Sequence, residues 1–159
     1  MGEQVSAQND NSTLVSEKAF MITVFVAQMF FGAWYLVHGL NYYVEFFTQP
    51  PGAVTLSRQL IGALIATGLF DVVKIAEIAI GILLLTNRMV PFAVLAAVPI
   101  NGIILWLNFF VNADAFGVVV GSVIILVQGL TLVAFFPYYK SMFVWKAEYA
   151  SLAELKALR

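Results

Sequence analysis

The chain has no cysteine and a single histidine, His38. Without thiols, disulfide exchange, thiolate catalysis and cysteine-ligated zinc or iron–sulfur clusters are excluded for this chain acting alone. One histidine also excludes bis-histidine haem ligation within one subunit, and no metal site of the usual histidine-rich kind is expected. Charge is scarce: only 11% of the 159 residues are Asp, Glu, Lys or Arg, whereas a soluble domain carries about 25%. The formal net charge is −1 and the basic residues do not cluster, which argues against a nucleic-acid partner. The sequence has no glycine-rich nucleotide loop, nucleophile triad or metal motif, so a free-standing enzyme is not expected.

What the chain has in abundance is apolar surface. Hydrophobic residues make up 62% of it and the mean hydropathy is +0.92. About 20 apolar residues are needed for a helix to cross roughly 30 Å of hydrocarbon. Four segments approach this: 19–40, about 69–86, 89–111 and 115–136. The expected fold is all-α, a four-transmembrane-helix bundle spanning residues 19–137. Between the first two spans, Pro50-Pro51-Gly52 breaks any helix, and Leu60–Ala66 begins an apolar stretch too short to span. It is read as a short extra helical segment that is interfacial, re-entrant or the first part of an overlong second helix. Residues 1–18 are polar, with neither a basic n-region nor a small-residue cleavage site, and are expected to form a disordered cytoplasmic tail. Residues 138–159 place Met142, Trp145, Tyr149, Leu152 and Leu155 on one stripe, the pattern of a C-terminal amphipathic helix.

Lys18, Arg88, Lys140, Lys146, Lys156 and Arg159 fall on one side of a four-span arrangement and Arg58 alone on the other. By the positive-inside rule both termini of this multi-pass membrane protein are expected to be cytoplasmic.

Three ionisable residues interrupt the second span: Asp71, Lys74 and Glu77. Near a bilayer centre each costs roughly 2.5–3.5 kcal/mol if unpaired, so some partner must compensate them. At 100° per residue the three share one face, and the i,i+3 steps let Lys74 neutralise either carboxylate. Gly81 falls within the same arc and would let a neighbouring helix approach. Asn101, Asn108 and Asn112 align on the third span, where Pro99 frees a backbone carbonyl, and Gln28, Gly32, Tyr35 and Gly39 align on the first. With His38 and Asn41 near the exit of the first span, the expected result is a polar, ligand-binding pocket in the outer half, tapering toward Glu77. A second reading gives these groups to packing alone, because lipid supplies no hydrophobic drive for helix association. Gly117 and Gly121 form a GxxxG pattern on the fourth span and suit close helix packing, including packing between subunits.

The stretches "HGLNYYVEFFTQPPG" and "DVVKIAEIAIGILLLTNRMVPFAVLAAVPIN" resemble the DoxX-like family of small bacterial four-helix integral membrane proteins, over about residues 18–137. The resemblance implies a four-helix fold in the bacterial inner membrane, and an association of some members with quinone-linked oxidoreductase complexes. It supplies no catalytic residues. The role expected is a small accessory subunit, or a binder of quinone or a lipid-like ligand, in a redox or energy-converting membrane complex. In that setting Lys74 and His38 would hydrogen-bond a quinone carbonyl or another polar headgroup. The partners expected are the lipid bilayer and other membrane subunits or further copies of the chain. The competing expectations are a small proton-coupled transporter, with Glu77 as its proton site, and a purely structural subunit filling an interface.

Overall fold

A computed structural model describes the backbone of residues 2–48, 52–143 and 145–146, and side chains from Thr13 onward within those ranges. Every regular element among them is helical. In chain order these are α1 (Gly2–Val44), α2 (Thr55–Ala66), α3 (Leu69–Leu85), α4 (Val90–Trp106) continuing as a π-helical segment (Leu107–Asn112), α5 (Ala115–Ala134) and the single turn α6 (Phe136–Tyr139). Three stretches are long and apolar enough to cross a membrane: Thr13–Val44, Val90–Asn112 and Ala115–Ala134. In each, only 28% of the most apolar window is buried, so most of that surface faces outward, as expected where the solvent is lipid.

The burial pattern is that of a membrane protein. Gln28, Asn41, Lys74, Glu77, Asn101, Gln128 and Thr131 are buried, while Phe25, Val72, Ile82, Ile103, Leu126 and Val133 are exposed. With no water in hydrocarbon to satisfy them, polar side chains are driven inward and apolar ones outward.

α1, α3, α4 and α5 form a ring in which α1 packs against α3 and α5, and α4 completes the circuit against the same two helices. Glycine sets the closeness of α1 and α3. A Cβ at Gly81 would lie 2.6 Å from the Leu36 nitrogen and 2.9 Å from the Gly32 carbonyl oxygen. Phe31, Tyr35, Ile80, Leu84, Val90, Ala93, Val94 and Ala97 form the apolar core beside this contact.

The described residues bear on three expectations about the segments. The polar segment 2–18 is helical rather than disordered, continuous with α1. No glycine or proline lies between Gly2 and Gly32 to stop the helix from propagating. The stretch around Leu60–Ala66 is a helix of its own and not the start of an overlong α3. Thr67 and Gly68 separate the two, with Gly68 at φ 74°, a left-handed conformation natural to glycine. Beyond Tyr139 the chain makes a 3₁₀ turn, Lys140–Met142. Tyr149, Leu152 and Leu155 of the expected amphipathic helix lie outside the described residues.

Candidate functional site: a polar cavity at one end of the bundle

The ionisable groups of α3 divide into two sets. Lys74 donates to Glu77 Oε2 at 2.8 Å, with both residues buried, and this is the one ion pair among the described side chains. The i,i+3 spacing brings the two charges together within one turn, so their neutralisation requires no second helix. The Lys74 ammonium also lies 5.0 Å from the centroid of the Phe70 ring, a cation–π contact. Asp71 does not join the pair. One turn closer to the helix start, it is half-buried, and its backbone carbonyl accepts from the Tyr43 hydroxyl at 3.4 Å.

Above the pair is a cavity of about 640 Å³ bounded by all five longer helices. α1 contributes Trp34, Tyr35, His38 and Tyr42, and α3 contributes Phe70, Lys74 and Glu77. Asn101, Ile104 and Asn108 come from α4 and its π segment, Phe116, Val120 and Ile124 from α5, and Ile61 and Ile65 from α2. Phe47 and Thr48 close the remaining side. The π turn is visible in the bond from the Ala113 N–H to the Asn108 carbonyl, five residues back, at 3.1 Å. Such turns widen a helix locally and recur at functional sites. Here the widened segment carries Asn108.

His38 is half-buried among aromatic rings, with centroids 4.3 Å from Trp34 and 5.5 Å from Phe47. The cavity therefore has an aromatic side, an amide at Asn108, and a lysine whose charge is already balanced.

Below the pair, the polar groups bond to one another. The Tyr35 hydroxyl donates to Asn101 Oδ1 at 2.8 Å, and Asn101 Nδ2 donates to Gln128 Oε1 at 2.7 Å. Gln128 Nε2 in turn donates to the Val94 carbonyl at 3.0 Å. This chain crosses from α1 through α4 to α5 and forms the floor of the cavity. Farther down, Gln28 Nε2 donates to the Leu84 carbonyl at 2.8 Å and to Asn87 Oδ1 at 3.1 Å. It thereby caps the end of α3 and ties the α3–α4 turn to α1.

The structure thus brings His38, Lys74, Glu77, Asn101 and Asn108 to one cavity. Asp71 is not part of its lining. Asn41 is occupied elsewhere: its amide donates to the Phe47 carbonyl and accepts from the Phe47 N–H, both at 2.9 Å. This two-bond clamp closes the chain reversal after α1, and Asn41 borders a separate, smaller cavity of about 400 Å³ with Tyr42 and Glu45. Gly81 packs α3 on α1, whereas Gly117 and Gly121 face Asn108 and Phe109 of the same chain. The sequence reading omitted Gln128. A lone amide in an otherwise apolar span was the available signal, since lipid penalises it unless it turns inward.

No protein-family model, curated protein or solved structure matches the chain, so the site is read from its own geometry.

Proposed function

We propose that the chain is a four-span inner-membrane subunit of the DoxX-like kind, with both termini cytoplasmic. In this reading it holds a neutral amphiphile of quinone or lipid type and serves a redox or energy-converting membrane complex. α3 is the fourth crossing. Its 17 residues rise about 25 Å, slightly less than the hydrocarbon thickness, and its two buried charges are turned from lipid toward the ring interior.

The observation that carries the reading is the cavity itself, largely apolar in its walls and polar at the Lys74–Glu77 pair and Asn108. Because the pair carries no net charge, it favours an uncharged head over an anion or a cation. The Lys74 ammonium and the Asn108 amide can donate to a carbonyl oxygen, while Trp34, Tyr42, Phe47 and Phe70 offer ring faces and edges to a flat head. A quinone fits this donor set and would supply electron transfer when bound. The chain's own part is to bind the head, orient it and exclude water from it.

Two experiments test the reading. Reporter fusions after Arg159 and within Thr86–Arg88 should read cytoplasmic, and insertions at Ala113 periplasmic; a periplasmic C-terminus would overturn the topology. Native mass spectrometry of the gently solubilised protein should show a bound neutral amphiphile that is lost in Ile104→Trp, which fills the cavity. Ligand-free wild-type protein would overturn the binding role, and solute flux in liposomes would assign the cavity to a carrier.

A further inference from the structure

A second depression lies between α1 and α5 and adjoins the polar cavity. Phe30, Phe31 and Trp34 of α1 face Val119, Val123 and Val127 of α5 across about 160 Å³. Trp34, Val120 and Ile124 line both spaces, so the two adjoin at these side chains. The seam is lined only by valine, isoleucine and aromatic residues. Phe30, Val119 and Val123 are exposed on its outer edge, on the faces that meet lipid. From Val119 to Val127 it follows α5 for about 12 Å at 1.5 Å per residue. It leads away from the α4–α5 turn toward the middle of the bundle.

We propose that this seam holds the hydrocarbon tail of the amphiphile whose head occupies the polar cavity, and that the ligand enters sideways from the bilayer between α1 and α5. The inference rests on the ligand-binding reading above and specifies its ligand class: a neutral head with one apolar tail, in place of a compact polar solute. The two neighbours of the seam identify its occupant. A groove that borders a site with hydrogen-bond donors on one side and lipid on the other matches a molecule with a polar end and an apolar one. The tail then points from the interface toward the bilayer midplane, the orientation it already has in the membrane. Entry therefore requires no passage of the tail through water.

The test compares a methoxy-substituted benzoquinone with the same ring carrying a decyl tail. Each is titrated against the full-length protein in lipid nanodiscs by quenching of intrinsic tryptophan fluorescence. Val123→Phe should fill the seam and weaken the decyl compound about tenfold, the equivalent of roughly two buried methylenes. The tailless ring should change by less than about twofold. Ile125→Phe, an exposed position of α5 outside the seam, should alter neither and controls for folding. Unchanged decyl binding in Val123→Phe, or equal weakening of both rings, would overturn the inference while leaving the head site standing. Loss of a dimer in Val123→Phe with unchanged decyl binding would assign the seam to a second copy of the chain. If wild-type protein binds neither ring, the ligand reading fails and this inference with it.

Discussion

At the end of the bundle that carries the α3–α4 turn, the helices meet through small residues and complete their hydrogen bonds. Gly32 and Gly81 bring α1 and α3 into backbone contact, Ala93 and Ala97 are fully buried on α4, and Gln28 closes the turn. At the opposite end the same helices surround a cavity. There α4 widens into a π segment, α2 is inserted between α1 and α3 in sequence, and the facing side chains are bulky: Trp34, Tyr42, Phe70 and Phe116. The difference teaches that polarity alone does not mark a site in this chain, because a buried amide occurs toward each end, Gln28 at one and Asn41 at the other. The amides that bond to one another build the scaffold, and those left facing a cavity are available to a ligand.

The largest expected effect lies at the boundary between the two ends. Lys74→Met would strand the Glu77 carboxylate and lower stability by about 3–5 kcal/mol, whereas Lys74→Met with Glu77→Gln should recover most of the loss. Thermal melting in detergent measures both, and identical melting of the single and double variants would sink the pairing.

Next in size is the closed end. Gly81→Ala places a methyl against the backbone of α1, which cannot move aside cheaply, and should cost about 1–3 kcal/mol. Gly121→Ala instead meets the Phe109 ring at 2.7 Å, a side chain that can shift, and should cost under about 1 kcal/mol. Equal losses would mean that the two glycine contacts are equally rigid.

The floor and the cavity should then separate. Gln128→Leu leaves Asn101 Nδ2 without its acceptor and should cost about 1–3 kcal/mol. Asn108→Ala should leave melting within about 0.5 kcal/mol of wild type while weakening ligand binding. Parallel losses of stability and binding at Asn108 would make the open end scaffold too.

The smallest effect is at the α4–α5 turn. Ala113 sits at φ 49°, where a Cβ costs about 1–2 kcal/mol of local strain. Ala113→Gly should raise the melting temperature slightly and leave ligand binding unchanged, a gain of at most about 1 kcal/mol.

Much of this molecule was legible from composition and pattern. A chain so poor in charge and so rich in apolar residues can satisfy its backbone in lipid only as helices or a closed barrel, and its long apolar runs point to helices. The i,i+3 spacing put Lys74 within reach of either Asp71 or Glu77, because that reach is settled inside one helical turn. Periodicity also predicted the inward stripes of α1, α3 and α4, since a lone amide in a span must turn from lipid. What only the tertiary structure decided was how those stripes are used. Lys74 lay as near to Asp71 in sequence as to Glu77, and only the folded bundle shows its ammonium 2.8 Å from Glu77 Oε2. Asn41 lay on the expected face yet was taken by the chain reversal at Phe47, a contact set by loop geometry that helical spacing does not encode. Gly117 and Gly121 announced close packing, but the helix that approaches them, the π segment of the same chain, emerged only from the ring order. Local spacing settles contacts within a turn; contacts between helices depend on which neighbours the bundle brings together and how far apart it holds them.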